Sequence, residues 1–282
     1  PYRFSRLGAD PRRPRLFVLE ERVDVTGVTE FLWRLDVDTG TQTSIFEMNG
    51  GSGSIMAYAY ADETDEMFVS VVDNDVWTIV VADGSTGEEL RRLPQPEPGY
   101  SVAVDPGGRH LWIGSGGYLR VVDGHSGAPR GIAPAGGTTV LQRDLGVLLA
   151  QDYGPSFNRL NIGAFDPATL ALQASLPVVP PPAGSRGFTE FELLPGRGST
   201  GAYVSRAHSY NGYVGCKGVD CEPSCSAIAV DRYDTRGALQ GTIELRAAHG
   251  RNTNVACGQH ALLVSRPFVP TALRAIVAGN VV

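Results

Sequence analysis

One lysine, Lys217, stands among 24 basic residues, and the others are arginine. A GC-rich coding sequence produces such a bias, so it is no sign of phosphate or carboxylate recognition. No apolar run approaches the ~20 residues that a bilayer-spanning helix needs, which excludes a transmembrane segment of that kind in this chain. Helical periodicity is nearly absent: residues 244–249 and 271–278 fit short helices, too short to shape a fold. The formal net charge is −6, which argues against nucleic acid as a partner, since such surfaces are basic. The five histidines, His110, His125, His208, His249 and His260, form no HxH or HExxH metal pair. No cofactor motif is present, and the expectation is no cofactor and no metal. The sequence opens at Pro1 with neither an initiator Met nor a signal peptide, as a processed or trimmed form would.

What the chain does have is turns. It contains 35 Gly and 19 Pro, and 42% of it is hydrophobic, enough for a real core. Residues 100–134 show the pattern most plainly. Ser101 to Val104 reads as a strand closed by Asp105-Pro106-Gly107-Gly108, which has Pro and Gly where a tight turn wants them. His110 to Gly114, with Leu-Trp-Ile at its centre, is a second strand, and Tyr118 to Val122 a third. Asp123-Gly124-His125-Ser126-Gly127 leads to a fourth, Ala128 to Ala133. Four antiparallel strands in about 35 residues is the size of one propeller blade.

Degenerate copies follow along the chain. Leu16-Phe17-Val18 lies six residues after Asp10, as Leu111-Trp112-Ile113 lies six after Asp105. Second-strand triplets begin at 16, 67, 111, 147, 202 and 262. The expectation is therefore an all-β chain forming a single β-propeller domain over residues 1–282. Six blades of four antiparallel strands are predicted, with seven the alternative. The last blade, from strands at 254–257, 262–264 and 273–277, lacks a fourth strand, and its open edge invites pairing with another chain. Blade five differs by a long insertion, His208 to Ser226, between its second and third strands.

The turn after the third strand recurs as Leu35-Asp36-Val37-Asp38-Thr39-Gly40, Ala82-Asp83-Gly84-Ser85-Thr86-Gly87, Val122-Asp123-Gly124-His125-Ser126-Gly127 and Phe165-Asp166-Pro167-Ala168-Thr169. It resembles the hydrophobic-x-D-x-x-T-G turn of bacterial YVTN-type and quinoprotein amine dehydrogenase-like propellers. The resemblance covers most of the chain at the level of the repeat. It implies a fold shared by secreted binding proteins, non-catalytic heavy chains and enzymes, so function must be argued from sites. The WD and Gly-His signatures of WD repeats are missing, as are the tryptophan docking motifs of quinone-cofactor propellers: the tryptophans are Trp33, Trp77 and Trp112.

In such a fold the loops after the second strands emerge on one face. They carry Glu20, Glu21, Asp73, Ser115, Gln151, Asp152, Tyr153, Arg206, His208, Tyr210 and Arg266. A polar site at the channel mouth, built from His208, Arg206, Asp152 and Asp73, would suit a lyase or hydrolase. Residues 124–128 match a G-x-S-x-G elbow only in part, since Ala128 takes the last place and the context is strand to strand. Asp36-Val37-Asp38 and Asp62-Glu63-Thr64-Asp65-Glu66 could hold calcium, but aspartate already has a local role in turns.

The insertion in blade five carries Tyr210, Asn211, Tyr213 and Lys217 amid glycines, a composition suited to recognition. It also holds Cys216, Cys221 and Cys225; the fourth cysteine is Cys257. An even count in a turn-rich β protein fits two disulfides and an oxidising compartment, with three pairings open. A four-cysteine zinc site is the rival reading, though the C-x4-C-x3-C spacing lacks paired C-x2-C knuckles. The reading that results is a non-enzymatic, extracytoplasmic propeller that binds a protein partner or serves as a subunit of an assembly. Binding would fall to the stapled loop of blade five and the open edge of blade six. The alternatives are the enzyme above and a carbohydrate-binding propeller.

Overall fold

A computed structural model describes residues 2–25, 27–50, 53–152, 161–177, 185–195, 200–210, 226–234, 238–245, 260–261 and 276–277. The chain divides into two compact units, Pro1–Leu141 with Gly146–Ser175, and Gln142–Leu145 with Leu176–Val282.

The first unit holds four meander sheets. They are β1 Tyr2–Ala9, β2 Arg15–Asp24, β3 Gly27–Asp36 and β4 Gln42–Gly50; β5 Gly53–Ala61, β6 Glu66–Asp73, β7 Val76–Asp83 and β8 Glu89–Gln95; β9 Ser101–Val104, β10 His110–Gly114, β11 Leu119–Asp123 and β12 Pro129–Ala133; and β13 Gly136–Gln142, β14 Val147–Asp152, β15 Asn161–Phe165 and β16 Leu172–Pro177. In each sheet the strands pair in chain order. The second unit holds a fifth such meander, β17 Ser185–Pro195, β18 Thr200–Tyr210, β19 Ser226–Asp234 and β20 Leu239–Leu245, and a strand pair, β21 His260–Ala261 with β22 Ile276–Val277. The helical content among the described residues is one 3-10 turn, Arg143–Leu145.

The second-strand triplets of blades two and three form the core because each of these blades is covered on both sides. Alternate residues of a strand point to opposite faces. Met67 and Val69 therefore pack towards blade one with Phe17, Leu19 and Leu32, while Phe68 packs towards blade three with Leu111 and Ile113. Trp112, on the other face of β10, meets Leu148 and Phe165 of blade four. Double-sided burial is why these strands read as continuous apolar runs rather than alternating ones. The first strands β5 and β9 lie side by side, whereas β12 is exposed from Pro129 to Ile132. Within this unit the blades thus fan outward from their first strands.

The repeated turn has the same hydrogen bonds in four blades. Asp36, Asp83, Asp123 and Asp166 each accept on Oδ1 from the amide and hydroxyl of the residue three positions on, Thr39, Thr86, Ser126 and Thr169. That hydroxyl in turn accepts the amide two residues further, at Thr41, Glu88, Ala128 and Ala171. The fifth residue has positive φ: 70° at Gly40, 78° at Gly87, 72° at Gly127 and 57° at Leu170. Glycine meets this demand without strain. Leu170 tolerates the strained backbone because its side chain is buried in the core of blades three and four, where it packs against Gly131.

These carboxyls are held below their ordinary value of 3.8 by bonds present in the fold. The leading cause is the Thr39 amide at Asp36, the Ser126 amide and then Arg130 at Asp123, and the Thr169 amide at Asp166. Asp83 is lowered to about 2, chiefly by the Ser85 hydroxyl. Each group therefore binds its proton more weakly folded than unfolded. Its contribution to stability is complete above the unfolded value and is lost as pH falls through the folded one. Urea midpoints should hold steady above pH 4 and fall on acidification towards pH 2 (roughly, from these values), with a shallower acid limb in Asp83→Ala. A parallel limb in that variant would refute the assignment.

Candidate binding face

The hairpins joining second and third strands, and the connectors between blades, emerge at one end of the sheets. The register shows this: Asp73 pairs with Val76, Trp77 with Gln95, and Gly114 with both Ser101 and Leu119. At blade one, Glu20 is buried and accepts from Arg22 at 2.9 Å and from the Trp33 indole. The Arg22 guanidinium lies 4.4 Å from the Phe31 ring centre, and Phe31 stacks on Trp33. Glu30, also buried, reaches across to blade two, where it accepts from the Ser54 hydroxyl and the Ile55 amide. These carboxylates are fully engaged in holding the tip of blade one.

Blade two ends in Asp73-Asn74-Asp75-Val76, with φ of 48° at Asn74 and 62° at Asp75. Positive φ at both central residues is what a two-residue hairpin with the strands' own twist requires, and Asn and Asp tolerate it best after Gly. The Asn74 amide donates to Asp73. The turn lifts Val76 into solvent, at 60% exposure. Beside it Trp77 meets the edge of Tyr100, with ring centres 6.3 Å apart.

Tyr100 belongs to the connector between blades two and three. That connector is fixed at three points: the Ser70 hydroxyl donates to the Gly99 carbonyl, Arg120 Nη2 to the Glu97 carbonyl, and the Tyr100 amide to Gly114. Arg120 is buried, with Nε unbonded, and burial lowers its pKa while Glu97 opposes that shift. At blade three, the Ser115 amide and hydroxyl both donate to the Tyr118 carbonyl, and Tyr118 is 51% exposed. Val23, Val25 and Val28 are exposed at the tip of blade one.

The opposite ends of the sheets differ in chemistry. There Arg12 pairs with Asp62 and Glu63, and Arg13 and Arg15 with Asp65, which also accepts from Tyr60. Of the aspartates considered for calcium, Asp36 is thus taken up by its turn, and Asp62 and Asp65 by arginines. Among the described residues no group of three or more His, Cys, Asp and Glu is arranged to hold a metal.

The sequence-derived site residues fall as follows. Asp73 and Asp152 end the second strands of blades two and four in the first unit. Arg206 and His208 lie in the second unit, on alternate positions of β18. His208 does not open a loop as expected. β18 continues to Tyr210, with His208 opposite Phe188 on one side and Ala227 on the other. The reason is that the flanking strands run on with it, so extending the ladder satisfies backbone groups that a loop would leave to water. Asn211, Tyr213, Lys217 and the four cysteines, like Tyr153 and Arg266, lie outside the described residues. In blade six the pairs are His260 with Val277 and Ala261 with Ile276, just before the expected 262–264 strand and at the end of 273–277. The aromatic pair Trp77 and Tyr100, and Tyr118 at the same end of the sheets, are absent from the sequence-derived set. Their signal was an aromatic next to each turn, but these residues sit in a strand and a connector as well as at a loop end.

Three β-propeller structures are similar to this chain. Hydrazine synthase of Kuenenia stuttgartiensis matches at 14% identity and TM-score 0.55, over 85% of this chain and 65% of that one. TolB from Acinetobacter baumannii matches at 15% identity and TM-score 0.56, over 83% of this chain and 52% of that one. A chain from a nidogen/laminin complex matches at 12% identity and TM-score 0.53, covering 84% and 78%. The present chain therefore spans about two thirds or less of the first two. No protein-family model and no curated protein sequence matches it. With its run of four-stranded antiparallel meanders, the chain folds as a β-propeller.

Proposed function

We propose that this chain is a non-enzymatic, extracytoplasmic propeller, one domain over its 282 residues, that binds a protein partner or serves as a subunit of an assembly. The observation that carries the reading is the excess of exposed apolar side chains at one end of the sheets of blades one to three. Val23, Val25, Val28, Val76, Tyr100 and Tyr118 stand there, against Val37 and Leu90 at the opposite end, which carries the ion pairs. Such a patch marks an interaction surface. A similar fold occurs in a nidogen/laminin complex. The Asp-x-x-Thr-Gly turns favour kinship with YVTN-type and quinoprotein amine dehydrogenase-like propellers. The even cysteine count favours disulfides and an oxidising compartment. The loop after Tyr210, with Asn211, Tyr213 and Lys217, and the edge of blade six supply further contact sites.

Lys217 offers a direct test, since no other lysine competes with it. Amine-reactive cross-linking in the native source should yield one stoichiometric protein adduct, lost in Lys217→Arg. Recovery of an uncross-linked monomer with hydrolytic activity would overturn the reading.

A further inference from the structure

We infer that the tips of blades two and three form a docking face for a protein segment that carries arginine or lysine beside apolar side chains. This rests on the protein-partner reading above. The apolar part of the face is Val76, Trp77, Tyr100 and Tyr118. Its charged rim is acidic. Asp73 and Asp75 flank the hairpin turn before Val76, and the exposed Glu97 lies three residues before Tyr100. The cations nearby offset this rim in part: Arg92, paired with Glu89 at 2.7 Å, also feels the charge of Asp73, and the buried Arg120, with its Nη2 on the Glu97 carbonyl, feels that of Glu97. Three carboxylates against these two cations, one of them already paired, leave the rim acidic.

Charge complementarity selects the occupant. Asp75 is two residues from Trp77 and Glu97 three from Tyr100, so the acidic and aromatic side chains stand at the same end of the sheets, where a segment with both cationic and apolar groups finds a match for each. Trp and Tyr are the residues most often found as interface anchors. The face is held before any partner arrives: the two-residue turn fixes Val76, the Gly114 carbonyl fixes the Tyr100 backbone, and Ser115 closes the loop at Tyr118. A fixed face loses less entropy on binding. A second copy of the chain is disfavoured, because two molecules of formal charge −6 repel each other.

The test uses a dye-labelled octapeptide of alternating arginine and leucine, followed by fluorescence anisotropy, with a glutamate–leucine octapeptide as its counterpart. Saturable binding of the first and none of the second is expected. Trp77→Ala, and separately Asp75→Asn with Glu97→Gln, should each weaken binding by about tenfold or more. Both carboxylates are exposed, and urea midpoints of the paired charge variant and the parent, measured alongside, separate a loss of binding from a folding defect. Equal binding of both peptides, or binding indifferent to both sets of substitutions, overturns the proposal. So does displacement of the peptide by a neutral oligosaccharide, or self-association that Tyr118→Asp abolishes. A Lys217 adduct that forms undiminished in Trp77→Ala/Tyr100→Ala overturns this face while leaving the partner reading standing. Absence of both adduct and peptide binding removes both.

Discussion

Gly124→Ala is expected to destabilise the protein by about 3 kcal/mol, whereas Gly116→Ala should change stability by less than about 0.5 kcal/mol. Both glycines lie in blade three, and neither adopts a positive φ. The difference is space. A Cβ on Gly124 would stand 1.9 Å from the Gly108 carbonyl oxygen, whereas one on Gly116 would have no heavy atom within 4 Å. The obstacle at Gly124 is backbone, which cannot swing aside as a side chain would. Its amide also donates to the Arg109 carbonyl at 2.9 Å, so moving the turn away breaks a bond. Gly84 makes the equivalent bond to Asp65 in blade two. Urea unfolding of the two variants in parallel decides the matter, and equal midpoints would refute the close approach.

Phe68→Ala should cost about 3–5 kcal/mol, the usual range for truncating a buried phenylalanine. Its side chain has no exposure and lies in the core between blades two and three with Leu111, Ile113 and Val122. Arg91 lies over the ring at 5.7 Å, where it pairs with Glu66 and donates to the Gly124 carbonyl. The cavity would therefore loosen a polar clasp as well as an apolar contact. Against a typical total of about 5–15 kcal/mol, this is a large fraction. Hydrogen exchange should accelerate first in Val102–Val104 and Leu111–Ile113, across the shared core. Unchanged exchange there, with loss confined to blade one, would place Phe68 in the wrong interface.

The blades were legible in the sequence because their two strongest signals are local. Doubly buried strands such as Met67-Phe68-Val69 need apolar residues at every position, and the aspartate turns satisfy themselves within six residues. The spacing from Asp10 to Leu16 and from Asp105 to Leu111 reappears as one register, Ala9 with Leu16 and Val104 with Leu111. The end of β18 was not legible, because His208, Ser209 and Tyr210 are strand only by virtue of neighbours on both sides. The face at Trp77, Tyr100 and Tyr118 was hidden for a similar reason. Its members come from a strand, a connector and a hairpin, and only tertiary pairing puts them at one end.

The repeated turn has a consequence for how the chain is made. In blades two to four it rests on the outermost strand of the blade before it: Gly87 on Ser44 and Ile45, Gly127 on Leu93, and Leu170 on Gly131. Arg34 reaches forward to the Ser85 carbonyl and Arg91 to that of Gly124. A blade is thus finished by its successor. During synthesis the outer strands of blades one to three are therefore covered only once the next blade of chain has left the ribosome.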